Sequence, residues 1–200
     1  MSDEQFIQAA RRGDLDAFNR LVLEYEGLVY NVALRLLSDP GLAEDATQDA
    51  FVSAFRNLGR FRGGSFKAWL LRIVKNASYD ELRRQGRRPI VALESEGEDG
   101  QTLDSPEWLA DPGESPEELA ERVELGEAIQ RCIEQLDVEF RAAIILVDIQ
   151  GFDYAQAADT LEAPLGTIKS RLARARIGVQ ECLQSVEELL PQAMRLKREQ

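Results

Sequence analysis

Histidine is absent from this 200-residue chain, and cysteine and tryptophan occur only twice each. Without histidine the chain lacks the commonest general base and the commonest zinc ligand, which removes most hydrolytic and metal-centred chemistries at once. There is no Gly-rich phosphate loop, and no Ser or Cys stands beside a base, so no catalytic residue, metal site or cofactor is expected. Cys132 and Cys182 lie far apart within helical patterns and fit neither a zinc site nor a disulfide framework; they read as two reduced core thiols. No apolar run approaches the length of a membrane span, and "MSDEQFIQAARRGD" has neither a basic n-region nor an apolar h-region. A cytoplasmic protein without direct membrane contact is the expectation.

Charge is present in excess and is unevenly placed. The chain carries 36 acidic against 24 basic residues, a net of −12. Residues 94–124 alone hold twelve acidic residues and one basic, Arg122. Within that segment "ESEGEDGQTLDSPEWLADPGESPE" is rich in Gly, Pro, Ser and Asp and has no periodic apolar positions, the composition of a linker. The chain therefore divides into domains at 1–90 and 116–190, an acidic linker at 91–115 and a tail at 191–200.

Both domains read as helical, with apolar residues recurring at three and four, and no strand is convincing. The fold class is all-α: two small helical domains joined by a flexible acidic linker. In the first, "LDAFNRLVLEYEGLVYNVALRLL" runs to a break at "SDPG", and "LAEDATQDAFVSAFRNL" resumes the pattern. After "FRGG", Ser65 is a plausible N-cap for a long helix that ends near Gly86 and Pro89. In the second, Ser115 and Pro116 open a helix to about Leu136, and Asp137 caps "VEFRAAIILVDIQ", which Gly151 ends. Two short helices follow, "YAQAADTL" and "GTIKSRLARARIGVQECL", joined by "EAPL".

That last pair has the form of a helix-turn-helix. Ile168, Leu172 and Ala175 fall at intervals of four and three and face the core with Ala157, Ala158 and Leu161, turning Lys169, Ser170, Ala173, Arg174 and Arg176 outward. Thr167 offers a hydroxyl at the helix N-terminus, and Lys169, Arg171 and Arg174 can reach phosphates and base edges in a major groove. A second basic concentration lies at residues 60–88, where nine basic residues meet only Asp80 and Glu81 and alternate with Phe61, Phe66, Trp69 and Tyr79. Cations interleaved with aromatics suit single-stranded or opened nucleic acid. Phe66, Trp69, Leu70 and Ile73 also follow core spacing, so some of these rings belong to the interior. Asn76, seven residues after Trp69 on nearly the same face, can read a base edge through its amide.

The order "AEDATQDAFVSAFRNLGRFRGGSFKAWLLRIVKNASYDELRRQGRRP", an acidic linker, then "LDVEFRAAIILVDIQGFDYAQAADTLEAPLGTIKSRLARAR" closely resembles the extracytoplasmic function (ECF) group of bacterial sigma factors. The resemblance implies a dissociable subunit that gives core RNA polymerase its promoter choice. Its first domain would bind the β′ clamp helices and read and melt the −10 element; its second would bind the β-flap and read the −35 element. Glu44, Asp45, Gln48, Asp49, Phe51 and Val52 match the core-binding pattern, although Phe51 also fits a core position. Arg60, Arg62, Ser65, Lys67, Trp69, Asn76, Asp80, Arg83 and Arg84 fall on the −10 segment, and Thr167, Lys169, Ser170, Arg171 and Arg174 on the −35 helix. The linker would thread the polymerase's RNA exit channel, and an anti-sigma factor is implied as a further partner. A stand-alone helix-turn-helix regulator is the rival reading. It leaves the Asp45 stripe and the basic 60–88 segment without a purpose.

Overall fold

A computed structural model describes residues 3–87 and 115–185; the proposed linker at 91–115, but for its last residue, and the tail at 191–200 lie outside them. The described residues form eight α-helices and no strand: α1 Asp3–Arg11, α2 Leu15–Leu37, α3 Pro40–Asn57, α4 Phe66–Arg87, α5 Pro116–Glu134, α6 Val138–Ile144, α7 Tyr154–Leu161 and α8 Leu165–Ser185.

Side-chain caps set most of the breaks. Asp14 accepts from the Ala17 amide at 3.0 Å to start α2, and Asp39 accepts from Leu42 at 2.8 Å to start α3 with Pro40 at its first position. Ser38 between them adopts left-handed backbone (φ 57°), and its N–H closes on the Leu34 carbonyl at 2.7 Å. Ser65 caps α4 as its sequence position suggests, accepting from Ala68 at 3.1 Å. Asp137 stands at the N-cap of α6, but its side chain makes no capping bond. At α7, Asp153 and Gln156 form a reciprocal capping box.

The first bundle, α1–α4, is closed by large apolar side chains on α2 and α4 against small ones on α3. Ala43, Ala46, Ala50 and Ala54 are buried along one face of α3, so α2 and α4 approach it closely. Leu21, Leu36, Leu70 and Leu71 have essentially no exposure, each burial contributing about 2 kcal/mol of transfer free energy. In the second bundle Ile133, Ala142, Ala143, Ile145, Leu146, Ala157, Leu161, Ile168, Leu172 and Ala175 make the core. The helix expected from Val138 to Gln150 is not uniform: Ile145–Ile149 is a π-helical turn, in which the Gln150 N–H reaches the Ile145 carbonyl at 2.9 Å. Gly151 then ends it at φ 69°.

Cys132 and Cys182 are not free thiols. They form a disulfide, with Cα atoms 5.6 Å apart. Helices α5 and α8 run side by side, and Gly178, one turn before Cys182, leaves room for them to do so: a Cβ there would stand 2.8 Å from the Leu136 side chain. Proximity across fifty residues of sequence comes from that packing, which spacing along the chain does not reveal.

The two bundles touch. α4 lies along α7, and α2 meets α5 and α6. Val32, Leu36 and Leu71 from the first bundle and Ala142, Ile145, Leu146 and Leu161 from the second line one small apolar gap.

Candidate polymerase and nucleic-acid interfaces

Helix α3 exposes Glu44, Asp45, Gln48 and Asp49 as one acidic stripe, because positions four apart share a face. Val52 continues it, 40% exposed, whereas Phe51 is buried in the bundle core. Phe55, which the sequence reading passed over, lies beside Val52 on this side, 41% exposed and edge-on to Phe18 with ring centres 5.0 Å apart. Its signal was a large aromatic three residues beyond an exposed valine, outside the alanine stripe.

A cleft of about 460 Å³ separates α3 from α4, lined by Asp45, Gln48, Asp49, Asn76, Asp80, Glu81 and Arg84. The structure thus brings Asn76 to the same groove as the acidic stripe. Its amide is exposed. Farther along α4, Arg83 pairs with Asp80 at 3.0 Å and Arg84 with Glu81 at 3.3 Å, each within one turn.

Between α3 and α4, a single 3-10 turn, Leu58–Arg60, leads into an exposed loop. Gly63 and Gly64 both sit at positive φ, 94° and 87°, which side chains rarely tolerate. Phe61 anchors the loop: it is buried and packs against Phe66 and Trp69, with ring centres 5.7 and 5.3 Å away. Phe61 and Phe66 are therefore core. Trp69 is half-buried. Arg60, Arg62 and Ser65 are exposed around it. A second cleft, of about 300 Å³, opens beneath the loop between Ser65, Lys67 and the first turns of α1. On its floor the Tyr25 hydroxyl donates to Asp3; burial, then that carboxylate, push the phenol above its ordinary range.

In the second bundle Ile168, Leu172 and Ala175 face the core with Ala157 and Leu161, as their spacing implies. Lys169, Ala173 and Arg174 are exposed on the opposite side of α8. Helix α8 begins at Leu165, so Thr167 lies half-buried inside its first turn. The Ser170 hydroxyl turns back to the Thr167 carbonyl at 2.9 Å. Arg171 pairs with Glu139 of α6 at the surface of the bundle, and Arg176 is held bidentate by Asp148, at 2.6 and 2.9 Å. Those hydrogen bonds raise the Arg176 guanidinium further above its usual range. Asp148 reaches it from the π-helical turn.

Sequence reasoning missed the contacts across the two bundles. Arg72 of α4 meets both the carboxylate and the backbone carbonyl of Asp159, at 2.8 and 2.7 Å, and Lys75 lies 3.4 Å from Glu162. Lys67 donates to the Gln150 carbonyl at 3.3 Å and stands over the Phe152 ring. The Tyr79 hydroxyl donates to the Val138 carbonyl at 3.3 Å, and burial pushes it up to about 12. Arg35 reaches Gln130 at 2.7 Å and Arg141 the Leu36 carbonyl at 2.7 Å; burial lowers both guanidinium groups.

An acidic helix face, a cation-and-aromatic surface on α4 and a helix-turn-helix thus sit in one chain in that order. The Sigma-70 region 2 family matches residues 21–88, and the Sigma-70, region 4 family matches residues 126–177. The chain is 36% identical over 183 residues to the RNA polymerase sigma-H factor of Pseudomonas aeruginosa, covering 91% of this chain and 94% of that one. With the ECF RNA polymerase sigma-E factor of Escherichia coli, identity is 35% over 190 residues, or 92% of this chain and 95% of that one. This chain belongs to the ECF sigma factors. A solved structure of the sigma factor RpoE in complex with the anti-sigma factor NepR, from Bartonella quintana, is similar at TM-score 0.61 and 30% identity, covering 83% of this chain and 96% of that one. Region 2 of this sigma factor therefore spans α2–α4, the acidic stripe and the glycine loop, and region 4 spans the helix-turn-helix. Among the described residues no helix is long and apolar enough to cross a membrane.

Proposed function

We propose that this sigma factor docks on core polymerase through the outer face of α3, reads and opens the −10 element with the glycine loop and α4, and reads the −35 element with α8. It acts by binding and not by catalysis, in the cytoplasm where transcription takes place. One observation carries the reading: a single chain presents a carboxylate face and two cationic faces on three different helices, so each has a partner of opposite sign or phosphate character. Glu44, Asp45, Gln48, Asp49 and Val52 would meet the β′ clamp helices, with Phe55 adding apolar contact. Phe51 would support that face from below.

At the −10 element Arg60, Arg62 and Lys67 would follow the backbone while the half-buried Trp69 and the Asn76 amide hold a base. Ser65 would act there through the helix it caps, α4, and Asp80 through Arg83. At the −35 element Lys169 and Arg174 are the side chains left to reach DNA, with Thr167 and Ser170 at the helix start; Arg171 would first have to leave Glu139. The α6 and α7 side of region 4 would meet the β-flap. The similar RpoE was solved with an anti-sigma factor bound, and an anti-sigma factor is proposed here as the regulator.

Run-off transcription with purified core polymerase over a promoter library tests this reading. Transcripts from a defined −35/−10 pair are expected only when the chain is added. No promoter-dependent transcript from any template would overturn it.

A further inference from the structure

Lys169, Ala173 and Arg176 follow one another along α8 at intervals of four and three, so they share one side of the helix. By spacing alone Arg176 is a further cation for DNA. The structure gives it a different occupation. Arg176 donates from Nε and one Nη to the two oxygens of Asp148, at 2.9 and 2.6 Å, and Tyr154 at the start of α7 bonds the same guanidinium. One side chain therefore ties three segments together: the π-helical turn, the first turn of α7 and the recognition helix α8.

The rest of α8 offers little that would set its rotation. Beyond Leu172 the buried row narrows to Ala175, and Gly178 follows against Leu136. Apolar contact is non-directional, whereas a bidentate guanidinium and carboxylate pair fixes the geometry of both groups. The Cys132–Cys182 bond ties α8 to α5 and not to α7. Asp148 belongs to the one π-helical turn among the described residues, which the Gln150 N–H closes on Ile145 and the Phe152 N–H on Leu146, both at 2.9 Å; such turns recur at functional sites. The Arg176 and Asp148 side chains are 52% and 31% exposed, and ion pairs this open to water add little to stability. What the pair supplies is direction.

We infer that Arg176 is a positioning residue for −35 recognition: held by Asp148 and Tyr154, it sets the rotation of α8 that presents Lys169 and Arg174 to the promoter, and it does not itself contact DNA. This rests on the reading of α8 as the −35 helix. Asp148 and Tyr154 are then part of the specificity apparatus without lying on the recognition helix.

The test uses the full chain assembled with core polymerase, titrated by fluorescence anisotropy against a labelled promoter taken from the run-off library and against the same promoter with its −35 element scrambled. Arg176→Ala and Asp148→Ala are each expected to lower the ratio of matched to scrambled affinity about tenfold, the worth of one misplaced base contact. The log–log salt slope should not change, and the melting midpoint should fall by no more than a few degrees. Combining the two substitutions should cost no more than either alone. Arg176→Lys should lose nearly as much as Arg176→Ala, since an ammonium keeps the charge but not the fork. A phosphate contact by Arg176 would instead make the salt slope of Arg176→Ala shallower by about 0.9, let Lys restore binding, and raise affinity for both promoters once Asp148 is removed. That pattern overturns the inference, as does a lowered midpoint with the ratio unchanged, the mark of a merely structural pair. If Asp148→Ala fails to fold by circular dichroism, Asp148→Asn, which keeps one acceptor, carries the same expectation with a smaller loss. Arg174→Ala separates this inference from the reading beneath it. If that variant leaves the ratio unchanged, α8 is not the −35 helix; if it lowers the ratio while Arg176→Ala does not, only the positioning role is refuted.

Discussion

Reducing the Cys132–Cys182 bond should loosen the second bundle while leaving the first intact. The crosslink spans 50 residues, for which the chain-entropy relation gives about 4 kcal/mol at 25 °C and measured losses generally fall at about 2–5 kcal/mol. For a bundle of this size each kcal/mol moves the midpoint by roughly 4–8 °C, so a fall of about 10 °C or more is expected. Both Cys182→Ser and treatment with a phosphine reductant should give it, because each removes the same constraint from the unfolded chain. Thermal melts followed by circular dichroism measure the shift, and amide exchange locates it. Protection should drop in α5 and α8 and hold in α2 and α3, since the first bundle contains no cysteine. Identical melting of the oxidised chain, the reduced chain and Cys182→Ser would refute the reasoning. In a reducing compartment the bond competes with thiol buffers, so the stability of region 4 becomes a function of the surrounding redox poise.

Reversing Asp45 and Asp49 to Lys should weaken association with core polymerase by a few kcal/mol, on the order of two decades in Kd, with helicity unchanged; a titration against labelled core measures it. Asn76→Ala should lower open-complex formation while core binding survives, as read by permanganate reactivity of the melted strand. Arg174→Ala should cut −35 affinity and reduce the salt slope by about one without moving the melting midpoint. Arg171→Ala should do the reverse, costing roughly 0.5–1 kcal/mol of stability through its partly exposed pair with Glu139. Paired anisotropy titrations and thermal melts of the two variants separate these roles.

What could be read along the chain was what depends on neighbours three and four residues away. The Ser65 cap, the acidic face of α3 and the buried row Ile168, Leu172 and Ala175 all follow from helical spacing and stand in the structure as expected. What could not be read depends on partners many residues distant. The two cysteines meet because α5 packs on α8. Arg171 was counted among the side chains able to reach DNA, but Glu139 of α6, distant in sequence, pairs with it. Ile145–Ile149 looks like ordinary helix because a π-helical turn leaves the apolar pattern nearly intact while shifting its register by one residue. Arg72 and Lys75 were counted in the basic segment, but nothing local marks them as the pair that the second bundle covers.

The corner between α7 and α8 is turned by Glu162 at φ 53° and ψ 41°, a conformation that costs an ordinary side chain about 1–2 kcal/mol and glycine almost nothing. The corner and the domain contact therefore ask for different residues at one position. An engineer seeking thermostability would replace Glu162 with Gly as a routine improvement of the turn. The heat resistance of the helix-turn-helix would rise, and the same change would delete the carboxylate facing Lys75. A more stable protein would then be a less restrained one, and a screen scored by melting temperature alone would select for it unnoticed.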